Sequence, residues 1–501
     1  MNIAELGDRY REHTEARLTE IDISGGRRSV TYSRLHELAT ERAEKLAAAG
    51  VEPGHLIGIR APGSIDWISW DLAALMRGAV LKAFPEDAEV ADPAEFVVRH
   101  ELALLIADGL TTDCPAVIAP GGLPGPDVVP ETAGRVDPEK VHSLVYSSGT
   151  SGKLKGLNIS AKGTEYVINR FIEAFRITAS DRHLIFLPLS NYQQRLSLYC
   201  CLWLGADLTL APYQRVFQAV KSERPTFLIG PPVFYDTVLQ LHRKSGGSAT
   251  LGDFLGGAIR FLITGMAPIR RETMDAFWER DVKLLEAYGL TETGMVAWNT
   301  EDQYRLGTVG RLLDSDHVRF LDDGEVILHR PAPLSSGYFE VPEEGADDTY
   351  RSDGTIATGD FGTLDADGFL TLIGRKKDVI ALGNGRKVHP AQIEEAFAGV
   401  EGIAEIIVVP TPESGRLGAV ITTTDPADEA LPAKVRSRIE EVNRRLDIHQ
   451  RVVSVIFSEQ PLRSDARFMT GNLKLSRVGV ARHFAETVRG AGAAAEEAGN
   501  R

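Results

Sequence analysis

The stretch "VYSSGTSGKLKG", residues 145–156, gathers three glycines, four Ser/Thr hydroxyls and two lysines behind a short apolar lead-in. Backbone N–H groups in a glycine-rich turn converge on an anion, and lysines add positive charge. Hydroxyls donate to phosphate oxygens or ligate Mg²⁺. The composition is therefore that of a phosphate-binding loop. It is not a Walker loop: only two residues separate Gly149 from Gly152, and Lys153 is followed by Leu154 rather than Ser or Thr.

Four further motifs follow in order: "LITGMAPI", "AYGLTETG", "ATGDFGTLDADGFLTLIGRKKDVI" and "TGNLKLSR". Together with the first stretch they resemble the motifs of the adenylate-forming superfamily: acyl-CoA synthetases, carrier-loading adenylation domains and luciferases. The phosphate motif is matched by Ser147, Ser148, Gly149, Thr150, Ser151, Gly152, Lys155 and Gly156, with Leu154 in place of the usual proline. The resemblance covers nearly the whole chain and is closest to the fatty-acyl-CoA synthetase branch. It implies attack of a carboxylate on the α-phosphorus of ATP, release of pyrophosphate, and transfer of the acyl group to coenzyme A.

The resemblance also implies residue roles. Residues 147–156 would hold the β- and γ-phosphates, with Lys155 as a point charge. Glu292 would bind Mg²⁺, with Ser147 or Thr150 as a second contact. Tyr288 and Gly289 belong to the nucleotide site, the tyrosine face stacking on adenine; Thr291 would hydrogen-bond the α-phosphate. Gly265 and Ala267 would let the backbone approach adenine. Asp360 would accept from both ribose hydroxyls, and Arg375 would reach the ribose or a phosphate. Asn191 and Met295 fall on the acid side, and Gly385 near the second nucleophile. Lys474 matches the catalytic lysine, with Thr470 and Arg477 at the expected offsets, and Lys377 matches the hinge. Rotation about that hinge would withdraw Lys474 after adenylation.

The elements that must position these residues are legible in the periodicity. "TYSRLHELATERAEKLAAAG" reads as an amphipathic helix capped by Gly50, and "HLIGIRA" as the next strand. "IDWISWDLAALMRGAVLKA" reads as helix then strand. "SLVYSS", "HLIFLPL", "TFLIG" and "IRFLITG" are short apolar strands of the buried parallel kind. Two hairpins are expected, turning at Asp323-Gly324 and Asp367-Gly368. A smaller part follows, reading helix, strand, helix, strand. The expected fold is α/β: a large N-terminal domain of layered α/β sheets with a β-rich distal part (1–376), plus a small mobile C-terminal α+β domain (377–501). The tail "GAGAAAEEAGNR" is expected to fray.

Composition limits the rest. A net charge of -15 argues against a general nucleic-acid binder. Cys114, Cys200 and Cys201 form no metal-binding or disulfide pattern, and the adjacent pair lies in an apolar run as core thiols would. The charged start has no apolar core of a signal peptide, and "LSLYCCLWLGA" is too short to span a membrane. A cytoplasmic monomer or homodimer is the expectation. "LPLSNYQQR" and "KDVIALGNGRKVHP" resemble the fatty-acyl branch, while Asn191 stands where an aromatic or histidine is usual. That departure points to a specialised hydrophobic acid, fatty, bulky cyclic or aromatic, of the kind found in secondary metabolism. The acceptor is coenzyme A by default; a separate carrier protein or a nitrogen nucleophile is the alternative. A catalytically silent binding protein on the same fold is the remote one, since Lys155, Glu292, Asp360, Arg375 and Lys474 are all present.

Overall fold

The computed structural model describes residues 1–148, 154–246, 249–340, 349–383, 385–411, 416–425, 427–462, 465–468 and 475–499, with backbone alone at 147, 148, 154, 155, 340, 466 and 489–499. Two large sheets dominate it. The first runs in the order Arg311–Leu312, Gly294–Trp298, Leu284–Leu290, Phe261–Thr264, Phe227–Gly230, Arg182–Ile185, Asp207–Leu210, Arg17–Ile21, Arg27–Thr31. The second runs Ser335–Glu340, Leu154–Ile159, Ser143–Ser148, Val80–Ala83, Leu56–Arg60, Leu102–Ala107, Val117–Ile118.

The central strands of both sheets pair in parallel, and their residues are buried on both faces. This is why they read as continuous apolar runs. The main core cluster joins the facing sides of the two sheets through helices Ile65–Arg77, Ala161–Phe175 and Tyr192–Leu204. Each of these helices starts on a side-chain cap: Ser64, Ser160 and Asn191 accept a backbone N–H of the first turn. Helices Val216–Glu223, Pro232–Lys244 and Arg271–Trp278 cover the other face of the first sheet.

Beyond residue 311 a four-stranded antiparallel sheet forms from Val318–Phe320, Glu325–Leu328, Ile356–Leu364 and Leu370–Arg375. Both expected hairpins are present, with Gly324 at φ +88° and Gly368 at φ +84°. The last part has a three-stranded sheet of Ile403–Pro410, Leu417–Thr423 and Val452–Ser458. Alternation along its strands divides two cores. Val408 and Ile421 pack with helices Pro390–Ala396 and Leu431–Arg445, while Val409 and Val420 pack with Val480 and Phe484 of helix Arg477–Gly499.

That helix corrects one expectation. The segment "GAGAAAEEAGNR" continues the helix to Gly499 rather than fraying. Alanine and glutamate are strong helix formers, and the preceding turns are anchored by Val480 and Phe484. Cys200 and Cys201 are fully buried in helix Tyr192–Leu204, where burial pushes both thiols up.

Candidate active site

The nucleotide-side residues meet where the first sheet touches the four-stranded one. Tyr288 lies near the end of Leu284–Leu290, and Asp360 lies opposite Arg375 in the register of one hairpin. The Tyr288 hydroxyl donates to Asp360 Oδ2 at 2.7 Å, and Arg375 Nε sits 3.0 Å from Asp360 Oδ1. Asp360 is buried, so desolvation pushes its carboxyl up, against the opposing pull of Arg375 and the Tyr288 hydroxyl. Each carboxylate oxygen keeps a free lone pair after these contacts, which suits a group meant to accept further donors. Burial likewise pushes the Tyr288 hydroxyl far up, so it stays a donor.

Glu292 and Thr291 lie in the tight turn between Leu284–Leu290 and Gly294–Trp298, and both are half-buried. The turn is fixed from several sides. Leu290 N–H donates to Thr293 Oγ1, and Ser335 N–H donates to the Glu292 carbonyl. The Tyr338 hydroxyl donates to Glu292 Oε1 at 3.4 Å. Strand Ser335–Glu340, which carries Tyr338, pairs with Leu154–Ile159, and that strand pairs with Ser143–Ser148. Glu292 is thereby tied to the hairpin that carries the phosphate motif. Within the hairpin, Ser147 pairs with Lys155 and Ser148 with Leu154. Gly149, Thr150, Ser151 and Gly152 at its tip lie outside the described residues, as do the side chains of Ser147, Ser148 and Lys155.

Gly289 and Gly265 have packing reasons of their own. A Cβ on Gly289 would lie 2.5 Å from the Gly294 carbonyl oxygen, at a bulge in the strand pair, and one on Gly265 would lie 2.9 Å from the Ala287 carbonyl oxygen. Ala267 follows in the same loop. Between them Met266 holds φ +69°, a left-handed conformation uncommon for a residue with a side chain. Asn191 caps helix Tyr192–Leu204 through its Oδ1, and its Nδ2 points at Met266 Sδ, 3.9 Å away. Asn191 therefore reaches the loop that carries Gly265 and Ala267. Met295 is half-buried on the strand following the Glu292 turn.

Lys377 lies in the short 3-10 turn Lys376–Asp378 directly after Arg375; its neighbour Lys376 Nζ bonds the buried Glu325 at 2.6 Å. Gly385 turns the Ile380–Ala381/Lys387–Val388 hairpin at φ +78°, with nothing within 4 Å of a Cβ placed there. Lys474 and Thr470 lie outside the described residues. Arg477, three residues past Lys474, anchors that end of the motif: Nη2 bonds Glu394 Oε2 at 3.0 Å, and Nη1 donates to the Val408 carbonyl at 2.7 Å.

Three groups have no role assigned by the sequence. Arg195 is fully buried and pairs with buried Asp71 at 2.6 Å, while its Nη1 donates to Ser143 Oγ at 2.6 Å. It ties the start of helix Tyr192–Leu204 to the first residue of the strand leading into the phosphate motif. Its retention in "LPLSNYQQR" was the available signal; Asp71, 124 positions away, carried none. Tyr338 had no signal beyond "SGYF". Glu286, two residues before Tyr288, has its carboxyl pushed up to about 7, first by burial, with Arg271 opposing.

Among the described residues no group of three or more His, Cys, Asp or Glu side chains is placed to hold a metal ion. Mg²⁺ is commonly held by one or two carboxylates together with a substrate's phosphates rather than by an all-protein cage. Glu292 is a half-buried carboxylate beside the phosphate hairpin. Among the described residues no helix is long and apolar enough to cross a membrane.

Comparison with known proteins places the chain in a family. Residues 8–338 match the family model of the AMP-binding enzyme, and residues 377–496 match that of the AMP-binding enzyme C-terminal domain. The chain is 28% identical to 3-[(3aS,4S,7aS)-7a-methyl-1,5-dioxo-octahydro-1H-inden-4-yl]propanoyl:CoA ligase of Mycobacterium tuberculosis, over 78% of this chain and 83% of that one. It is 27% identical to feruloyl-CoA synthase of Amycolatopsis sp, over 80% and 85%. The ATP-bound crystal structure of MatB from Rhodopseudomonas palustris superposes with a TM-score of 0.78 at 22% identity, over 97% of this chain and 100% of that one. The chain belongs to the AMP-binding, adenylate-forming enzyme family, and its curated relatives are named as CoA ligases and CoA synthases.

Proposed function

We propose that the chain activates a specialised hydrophobic carboxylic acid, bulky cyclic, aromatic or fatty, as its acyl-adenylate, and passes the acyl group to coenzyme A. The observation that carries this reading is the convergence of Tyr288, Asp360 and Arg375 beside a Glu292 turn tied to the phosphate hairpin. Asp360, oriented by Tyr288 and Arg375, accepts from the ribose hydroxyls and fixes the α-phosphorus. Residues 147–156 hold the β- and γ-phosphates of the leaving group, with Lys155 countering their charge. Thr291 steadies the α-phosphate. Glu292 holds Mg²⁺, which when bound neutralises phosphate charge. An acid carboxylate oxygen attacks the α-phosphorus and pyrophosphate leaves; Lys474 neutralises charge between the carboxylate and the α-phosphate. Such catalysis is largely positioning and electrostatic stabilisation.

The small part, residues 377–501, then rotates about Lys377. Lys474 withdraws, and the Gly385 turn comes toward the incoming thiol, which displaces AMP from the acyl carbon. For the acid, support comes from the half-buried Asn191–Met266 contact, which brings an amide and a thioether rather than a paired charge to the acid side. The acids in the names of two relatives, a bicyclic propanoate and ferulate, are of the same bulky kind. The test is ATP–pyrophosphate exchange across a panel of carboxylic acids, followed by mass spectrometry with coenzyme A. Exchange with a cyclic or aromatic acid and its thioester as product are expected; exchange restricted to small polar acids would overturn the assignment.

A further inference from the structure

Arg330 lies two residues past strand Glu325–Leu328, and its side chain is 2% exposed. A guanidinium is removed from water at high cost unless its donors are well used. Here Nη1 donates to the Thr293 carbonyl at 3.2 Å and Nη2 to the Met295 carbonyl at 3.0 Å, while Nε finds no hydrogen-bond partner among the described residues. Those carbonyls flank Gly294, which holds φ +72° and has no room for a side chain: a Cβ would lie 2.9 Å from Val167 Cγ2. One planar fork thus bridges the two carbonyls of the tight turn.

The fork is itself held. Nη2 lies 3.1 Å from Asp314 Oδ2, and the guanidinium stacks 4.5 Å over the Tyr166 ring, whose hydroxyl donates to Asp314. Tyr166 belongs to helix Ala161–Phe175, which begins two residues after the strand leaving the phosphate motif. A single buried cation therefore links that helix, residue 314 and the turn next to Glu292.

We propose that Arg330 is a positioning residue for the nucleotide–metal site: it fixes the turn so that the Glu292 carboxylate points at the phosphates. The proposal rests on the reading of Glu292 as the Mg²⁺ ligand. An ammonium can hold one of the two carbonyls but cannot span both in a fixed plane. Arg330→Lys then keeps the buried charge opposite Asp314 and loses the two-point grip.

The experiment is calorimetric ATP binding at a series of Mg²⁺ concentrations, alongside thermal melts and pyrophosphate exchange, on wild type, Arg330→Lys and Tyr166→Phe. Residues that orient a metal ligand typically alter metal affinity by about 10–100-fold. We expect Arg330→Lys to raise the half-saturating Mg²⁺ for ATP binding roughly tenfold, with ATP binding in EDTA and the acid KM unchanged. Tyr166→Phe keeps the ring and shifts the same midpoint less. A lowered melting temperature with an unmoved Mg²⁺ midpoint in both variants overturns the proposal and leaves Arg330 as a core element. If Arg330→Lys does not fold, an unmoved midpoint in Tyr166→Phe alone overturns it. Failure of the underlying reading has its own signature: wild-type ATP binding indifferent to Mg²⁺, or Glu292→Gln leaving the midpoint in place.

Discussion

The Tyr288–Asp360 bond gives the sharpest single perturbation. Tyr288→Phe keeps the ring, which is buried among Val296, Val326 and Ile356, and deletes only the hydroxyl. The lost bond, 2.7 Å to a buried carboxylate, is of the charge-assisted kind that contributes about 1.5–3 kcal/mol. Because Asp360 is the ribose acceptor in this account, the loss falls on ATP. At about tenfold per 1.4 kcal/mol, the KM for ATP in pyrophosphate exchange rises roughly ten- to a hundredfold, and the acid KM stays where it was. A second readout follows from the sign of the shift. The Tyr288 hydroxyl lowers the Asp360 carboxyl against the larger effect of burial, so its removal lets that carboxyl rise further. The acid limb of kcat/KM for ATP therefore moves to higher pH in Tyr288→Phe. An unchanged ATP KM together with an unmoved acid limb would refute the reasoning, because the bond would then belong to packing alone.

Other outcomes follow from the same geometry. Lys474→Ala should abolish pyrophosphate exchange while leaving thioester formation from a premade acyl-adenylate largely intact; equal loss of both steps would sink the two-conformation account. Arg195→Met breaks a fully buried pair and should cost about 3–5 kcal/mol in denaturant unfolding. Adding Asp71→Asn should recover part of that loss, and a double mutant less stable than the single one contradicts the pairing. The Glu286 carboxyl is raised from the ordinary 4.5 to about 7, so the unfolded chain releases its proton first. Stability from this group is fully present below pH 4.5 and is lost as pH rises to about 7. Glu286→Gln should therefore raise the melting temperature relative to wild type at pH 8 and much less at pH 4.5; equal gains at both would be inconsistent with a raised carboxyl.

Elements with strong local signals were legible in the sequence. Helix Tyr32–Ala48 announces itself by its apolar spacing and by the Thr31 cap, and the Asp323-Gly324 and Asp367-Gly368 turns by their chemistry. The hairpin of Arg17–Ile21 with Arg27–Thr31 was not, because its second strand is polar and half exposed. It is held in the first sheet by parallel pairing of Arg17–Ile21 with Asp207–Leu210, far along the chain. The site shows the same division. Tyr288, Asp360, Arg375 and Glu292 stand in dense local motifs. The groups that tie the surrounding elements together, Asp71, Arg195, Arg330 and Tyr338, act across long separations that no local pattern encodes. Glycine roles were read only in part: Gly265 and Gly289 are required by strand-to-strand approach within the protein, whatever lies against them from outside.

The central claim is that the acid is activated through its own oxygen as an acyl-adenylate. An acid labelled with ¹⁸O in both carboxylate oxygens, turned over with ATP and coenzyme A, tests it directly by mass spectrometry of the products. Attack of the carboxylate on the α-phosphorus followed by thiol displacement must leave one ¹⁸O in AMP, none in pyrophosphate and one in the thioester carbonyl. Unlabelled AMP, or label in orthophosphate alongside ADP, would contradict the account.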